Sequence, residues 1–262
     1  MLDRLENNGR RIYSDGAAEF PSVTTLMGLP SHPWMMNWAQ KLTAEAAVDV
    51  MPTLEGVPKS EKLSTIKAEA FARRNSAAVY GTEVHQNVEY LLTGEQHKLT
   101  TKPDVLGDAQ AALDFLNNQG LTSLAVERAV ANFAVGYAGT LDCLAAGDAD
   151  GSRWIVDWKT GKIKPQSFYQ CMAYAAADHI WSEQQHKWVP YDFSQHLAGV
   201  VVVQLKNQTW KAYPYPVEEW GLNERPSMDD VLQYLSYLVC VYEGEKQMSE
   251  FAPLAEIVPS IS

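Results

Sequence analysis

Cysteine is scarce in this chain: Cys143, Cys171 and Cys240 are the three among 262 residues. An odd number at wide spacing excludes a disulfide framework. It offers no paired thiolates for zinc or an iron–sulfur cluster, and it suits a reducing cytoplasm. Long apolar runs are missing too. Nothing approaches the roughly eighteen residues of a membrane span, and the opening MLDRLENNGRRIYSDG is too polar for a signal peptide. The expected location is cytoplasmic, with no membrane association. Positive charge is in deficit: 21 Lys and Arg against 32 Asp and Glu give a net charge of −11. That balance excludes a protein that coats nucleic acid through an overall basic surface. It leaves room for acids gathered around a metal beside a locally basic channel. A nucleotide phosphate loop is absent as well, because Thr160-Gly161-Lys162 lacks the earlier glycine of GxxxxGK[ST].

What is present is the composition of an ordinary folded chain, 46% hydrophobic and 20% charged. No internal repeat or linker divides it. The reading is one domain over 1–262, with an N-terminal helical part at 1–78, a core at 79–215 and a C-terminal helix and tail at 216–262.

Residues 1–20 read as irregular, with Arg10-Arg11-Ile12-Tyr13 as an edge strand. Pro21-Ser22-Val23-Thr24-Thr25 carries hydroxyls placed to cap a helix. A helix over 34–50 follows, its Trp34 and Trp38 read as core anchors. Two more helices are expected at 59–76 and 80–92. The first alternates Lys59, Lys62, Lys67, Arg73 and Arg74 with Glu61 and Glu69, a solvated face. The second, Tyr80 to Leu92, sets Val84, Val88, Leu91 and Leu92 on one stripe, with His85 and Glu89 a turn apart beside it, and ends at Gly94. A helix over 104–118 closes at Gly120. Then 122–133 reads as a strand with Glu127 among Ala125, Val126, Ala129 and Val130. An acid there needs a partner or a metal, or an exposed face with Arg128 or a cross-strand cation beside it.

Between Gly139 and Gly161 the chain reads GTLDCLAAGDADGSRWIVDWKTG, two apolar runs around a Gly- and Asp-rich turn: a β-hairpin. Strand alternation puts Ile155, Asp157 and Lys159 on one face and Trp154, Val156 and Trp158 on the other. Asp142 on the neighbouring strand adds a second carboxylate. On an exposed face this would be a surface ion pair of little worth. At the end of an otherwise apolar strand, two acids and a lysine suit metal-assisted phosphodiester hydrolysis. Mg²⁺ takes oxygen ligands, here the carboxylates of Asp142 and Asp157 and the main-chain carbonyl of Trp158. Lys159 can orient the attacking water and offset charge on phosphorus. A helix over 166–181 carries Gln170 and Tyr174 one turn apart. A polar aromatic loop, strands at 196–205 and 209–215 and a last helix at 227–242 complete the order, with a tail at 249–262. Helices, three strands, helix, two strands, helix predicts α/β with a mixed central sheet packed by helices on both sides.

In this order the motifs resemble the PD-(D/E)xK nuclease superfamily, specifically the RecB-like branch with its phage exonucleases and CRISPR-associated members. Gly81-Thr82-Glu83-Val84-His85 is similar to the GxxxH helix motif, Glu127 to the acid on the preceding strand, and Gly139-Thr140-Leu141-Asp142 to the G-x-x-D strand. Asp157-Trp158-Lys159-Thr160 resembles the (D/E)-x-K-T core and Gln170 to Tyr174 the QxxxY helix; PSVTT followed by a Trp-bearing helix is similar to phage members. The resemblance implies a restriction-endonuclease-like core with an N-terminal helical region. It implies His85, Asp142 and Asp157 as ligands of Mg²⁺ or Mn²⁺, Lys159 as the catalytic lysine, and Glu127 organising metal or water. Gln170, Tyr174 and Thr160 would position substrate. The core acid is Asp where many relatives have Glu, and the cluster-binding cysteines of some relatives are absent, so no iron–sulfur cluster is expected. The implied activity is a metal-dependent DNA exonuclease acting on linear ends in recombination or repair, in host cytoplasm if phage-encoded. The alternatives are an end- or structure-specific endonuclease and an inactive DNA-binding module. A single-strand annealing protein or a helicase is the implied partner, and a homo-oligomer fits the same pattern.

Overall fold

The computed structural model describes residues 1–7, 10–30 and 33–250. The expected tail beyond Glu250 and the side chain of Trp34 lie outside the described residues. The first residues are more regular than the sequence predicts. β1 (Asp3–Asn7), β2 (Arg10–Ser14) and β3 (Glu19–Pro21) form an antiparallel three-stranded sheet. Its strands are only five, five and three residues long, too short for an alternation to show, and its covered face buries Tyr13 and Phe20. α1 (Val23–Met27) starts where the hydroxyls suggest: Ser22 Oγ accepts from the Thr25 N–H at 3.0 Å.

α2 (Pro33–Val50) packs on α3 (Lys59–Thr93), and α3 is one helix of 35 residues where two were expected. Ala77 and Ala78 carry it through, and a mid-helix glycine such as Gly81 costs only about 1 kcal/mol. At about 1.5 Å per residue α3 is about 52 Å long. Trp38 on α2 is 42% exposed, so it is not the core anchor its spacing suggested. Gly94, with φ +78°, ends α3. α4 (Pro103–Gln119) begins on a proline at its first turn and stops at left-handed Gly120.

β4 (Leu121–Asn132), β5 (Tyr137–Gly147) and β6 (Arg153–Lys159) follow as an antiparallel run. α5 (Pro165–Ala175) is shorter than predicted. Asn132 Nδ2 donates to the Ala176 carbonyl at 2.6 Å, and the Asp178 N–H donates to the Ala131 carbonyl at 3.0 Å. Those bonds end the helix and pull the chain onto the sheet. The aromatic segment expected to be helix and loop instead forms β7 (His179–Ser182) and β8 (Lys187–Pro190), with Trp181 and Trp188 buried edge to face. β9 (Leu197–Lys206), β10 (Thr209–Pro216) and α6 (Met228–Glu250) complete the chain.

The large sheet has the order β10-β9-β6-β5-β4-β7-β8; β6 and β9 run parallel and the other neighbours antiparallel. On one face α1, α5 and α6 bury Leu26, Met172 and Leu235 against Leu144, Ile155 and Val202. On the other, α3 and α4 bury Val84 and Phe115 against Val156, Trp158 and Val203. The architecture is therefore α/β, a mixed central sheet flanked by helices with a helical N-terminal region. The faces predicted for β6 are those observed, Ile155 on one side and Val156 with Trp158 on the other. No described helix is long and apolar enough to cross a membrane.

Candidate metal centre

The site forms where two strands of the sheet stop pairing. β5 and β6 are paired from Ala146↔Arg153 to Cys143↔Val156 and no further. Asp142 and Asp157 are the first residues past the last pair. In place of a ladder bond, the Trp158 N–H donates to Asp142 Oδ2 at 2.8 Å, which fixes the carboxylate in the opening. On the other side of β5, the pairs Val126↔Cys143 and Arg128↔Leu141 bracket Glu127 opposite Asp142. Glu127 has φ +47°, in the left-handed region that a non-glycine residue enters at a cost of order 1–3 kcal/mol. Strain of this kind is tolerated where it aims a side chain.

α3 delivers the third donor. His85 Nδ1 lies 3.5 Å from Asp142 Oδ2 and 3.6 Å from Glu127 Oε1. Nε2 lies 2.9 Å from the Trp158 carbonyl oxygen, and as the protonated nitrogen it donates to it. One donor atom from each of His85, Glu127 and Asp142 falls within a sphere of mutual distances no longer than 4.8 Å. Two ligands about 2.1 Å from one ion lie about 3.0 Å apart when adjacent and about 4.2 Å when opposed, and the 3.5 and 3.6 Å spacings from His85 Nδ1 fall in that range, so the group could hold one cation. Gly81 eases the approach of the helix, since a Cβ there would stand 3.2 Å from Thr160 Oγ1.

Asp157 sits beside the group rather than in it. Its Oδ2 is 2.5 Å from Lys159 Nζ, and its Oδ1 is buried with no hydrogen-bond partner among the described residues. Of the ligands expected from the sequence, His85 and Asp142 come together, whereas the Trp158 carbonyl accepts from His85 Nε2 on the far side of the ring. Glu127 stands where Asp157 was expected, and Asp157 is committed to Lys159. Gln170 Nε2 donates to Tyr174 Oη at 2.7 Å. Both line the same cleft of about 540 Å³, as do Thr160 and Lys159. A larger cavity of about 740 Å³, lined by Tyr191, Phe193 and Trp220 among others, lies elsewhere and has an apolar wall.

Buried and half-buried charges of both signs meet at the floor of the cleft. Burial raises the Asp157 carboxyl to about 6 against the pull of Lys159, and burial also raises Asp142 despite His85 and Lys159 nearby. Burial would lower His85, but Asp142 and Glu127 outweigh it and push the imidazole up to about 9. Lys159 is likewise raised, burial being outweighed by Asp157 and Asp142. Burial is the first cause of the raised acids, and a cation bound among these donors would offset the charge they carry when ionised. An imidazole with carboxylates suits Mn²⁺ as well as Mg²⁺. Cys143 and Cys171 are buried and their thiols raised by burial, Cys143 to about 12, so they serve as packing.

The cleft wall also includes Arg4, Arg11 and Tyr13 from the first two strands, a segment to which the sequence pattern assigned no role. The signal was faint: a basic pair in a short strand, ahead of the PSVTT turn.

No family model matches the chain, and no curated protein matches it. Among solved structures, the crystal structure of SSO0001 is similar to part of it. The likeness covers 61% of this chain and 74% of that one, at 12% identity and a TM-score of 0.28.

Proposed function

We propose that this protein is a metal-dependent deoxyribonuclease that hydrolyses phosphodiester bonds at linear DNA ends. The observation that carries the reading is the convergence of His85, Glu127 and Asp142 within 4.8 Å, beside the Asp157–Lys159 pair on the adjoining strand. The order of motifs along the chain, which resembles that of RecB-like nucleases, also supports it.

In this reading His85, Glu127 and Asp142 hold Mg²⁺ or Mn²⁺, and Asp157 lends its charge from alongside. Bound there, the cation would make a nucleophile of water at neutral pH and polarise the phosphoryl oxygen. The chain's own residues do the rest. Paired with Asp157, Lys159 is held as an ammonium that orients the attacking water and offsets charge building on phosphorus. The Trp158 peptide fixes Asp142 through its N–H and His85 through its carbonyl. Gln170 and Tyr174 brace the cleft wall where a strand would lie, and recombination or repair of DNA ends is the setting such chemistry serves.

Digestion of end-labelled linear DNA with Mg²⁺ or Mn²⁺ tests the reading, with covalently closed circular DNA as the second substrate. Cleavage of the linear form that Lys159→Ala abolishes is the expected result. Cleavage of closed circles would make the enzyme an endonuclease. Equal products from wild type and Lys159→Ala would leave a nuclease-like binding module.

A further inference from the structure

The PSVTT turn holds an arginine. The Arg11 N–H donates to Thr25 Oγ1 at 2.8 Å, and the Arg11 carbonyl accepts from the Ser22 N–H at 2.9 Å and from Thr25 Oγ1 at 3.1 Å. Ser22 Oγ in turn donates to Thr25 Oγ1 at 2.9 Å and caps α1. Arg11 lies in the central strand of the small sheet, not the edge strand expected from sequence, and where the pairing with β3 ends at Ile12 the turn takes over both of its backbone groups. Strand alternation then sorts the basic pair. Arg10 faces away and binds Glu245 of α6 at 2.5 Å, while Arg11 faces the metal centre. Tyr13, on the same face as Arg11, bonds Thr140 Oγ1 through its hydroxyl at 2.8 Å, two residues before Asp142. Register places Arg4 directly opposite Tyr13, so the two guanidiniums flank the tyrosine that docks this sheet on β5.

Charge narrows what the two arginines are for. The cleft floor carries Glu127 and Asp142, with Asp157 behind them, and the whole chain is at −11. A polyanion meets repulsion there unless cations stand at the rim. Among the described residues that line the cleft, the Lys and Arg side chains are Arg4, Arg11 and Lys159. Lys159 stands at the floor, paired with Asp157 beside the reacting centre, whereas neither Arg4 nor Arg11 makes an ion pair among the described residues. Guanidiniums match phosphate oxygens two at a time and stay charged at every pH of interest.

We infer that Arg4 and Arg11 form a phosphate grip, positioning a nucleic-acid strand phosphate one step from the metal centre, and that the PSVTT turn exists to hold it. This rests on the nuclease reading for the identity of the anion. It assigns the N-terminal sheet to substrate binding. Both arginines are positioning residues, since the bond that breaks lies at the metal.

The test uses the full chain and a short 3′-labelled single strand carrying either a 5′-phosphate or a 5′-hydroxyl. Binding is read by anisotropy over a salt series with Ca²⁺ replacing Mg²⁺, and Mn²⁺ binding is titrated in parallel. Arg4→Gln with Arg11→Gln should weaken strand binding at least tenfold and make the salt slope shallower by about 0.7 per arginine. Mn²⁺ affinity and the melting curve should stay at wild-type values, and Arg11→Lys should restore the slope but only part of the affinity. In cleavage, KM should rise with kcat little changed. A loss confined to the 5′-phosphate strand places a terminal phosphate in the grip, and an equal loss for both strands places an internal one; either supports the inference. Unchanged affinity and slope in the folded double variant would overturn it and leave the nuclease reading intact. Binding that depends on the arginines, in a wild type that cleaves nothing, would remove the nuclease reading and keep the grip. A wild type that binds neither strand would overturn both.

Discussion

His85 Nε2 lies 2.9 Å from the carbonyl oxygen of Trp158, 73 residues further along the chain. The same residue gives its N–H to Asp142. The backbone of Trp158 thus ties α3, β5 and β6 together at the site. Its own position is set from below, where the Trp158 indole is buried edge to face with Phe115, their centroids 6.1 Å apart. Anchoring of this kind holds donor atoms at a fixed spacing without a metal to organise them, the condition for a precise site.

Metal affinity should follow the observed grouping. Wild type should bind Mn²⁺ in calorimetric titration, and Glu127→Gln, Asp142→Asn and His85→Ala should each weaken it by about tenfold or more. Asp157→Asn should weaken it less than Glu127→Gln, because Asp157 lies beside the donor group and against Lys159. The reverse order would place the ion nearer β6 than the His85 cluster allows.

Acid sensitivity should carry a mark from the start of α6. Ser227 donates its N–H to Asp230 at 2.8 Å and its hydroxyl at 2.6 Å, a capping box with Asp in the acidic place. Those bonds lower the Asp230 carboxyl below its ordinary 3.8. A carboxyl lowered on folding stabilises fully above its unfolded value, and that contribution is lost as pH falls through the folded one. Melting temperatures of wild type and Asp230→Asn should therefore differ at neutral pH and converge below pH 3.8 as Asp230 protonates. A gap that stays constant down to strong acid would mean the cap does not depend on this charge.

Much of the site was legible because its chemistry is local in sequence. Asp142, Asp157 and Lys159 stand out as charges in apolar strands, and Gln170 with Tyr174 follows from helical spacing. The face assignment of β6 needed only alternation. Other features depend on pairing that no window of sequence contains. Glu127 joins His85 and Asp142 because the β5–β6 ladder stops at Cys143 and the backbone at Glu127 turns left-handed. β7 and β8 were hidden by an apolar run that continues the helical pattern of α5, and the break comes from Asn132 on another strand. The setting of Arg11 was hidden for the same reason: it is held by residues up to fourteen positions later.

The glycine of the G-x-x-D strand has a measurable packing role. A Cβ at Gly139 would stand 2.4 Å from Tyr174 Cε1, against a ring that is buried. The ring cannot swing clear without giving up the bond from Gln170. Gly139→Ala should cost about 1–3 kcal/mol in urea unfolding, the usual range for overpacking. Adding Tyr174→Phe should not restore it, since the clash is with a ring carbon. Gly81→Ala meets only a hydroxyl at 3.2 Å and gains helix propensity, so its cost should be smaller. A larger loss at Gly81 than at Gly139 would contradict the packing account.

Lys159 and Asp157 separate stability from chemistry. The Asp157 side chain is 1% exposed and that of Lys159 27%, so the pair is closed on the acid's side and open on the lysine's. Lys159→Ala leaves a buried carboxylate without its partner. Breaking a buried pair costs about 3–5 kcal/mol, and the open side of this one puts it toward the lower figure. Replacing both groups with neutral ones removes the stranded charge. Asp157→Asn with Lys159→Met should therefore regain at least half of the stability that Lys159→Ala loses, measured by urea unfolding. Cleavage should not return, since the charge proposed to act on phosphorus is gone. The double variant should stay about 10²–10³-fold or more below wild type, the scale set by losing one electrostatic group at a reacting centre. A double variant that regains both would show the lysine to be structural. One that regains neither would show that the site needs the ion pair in order to fold.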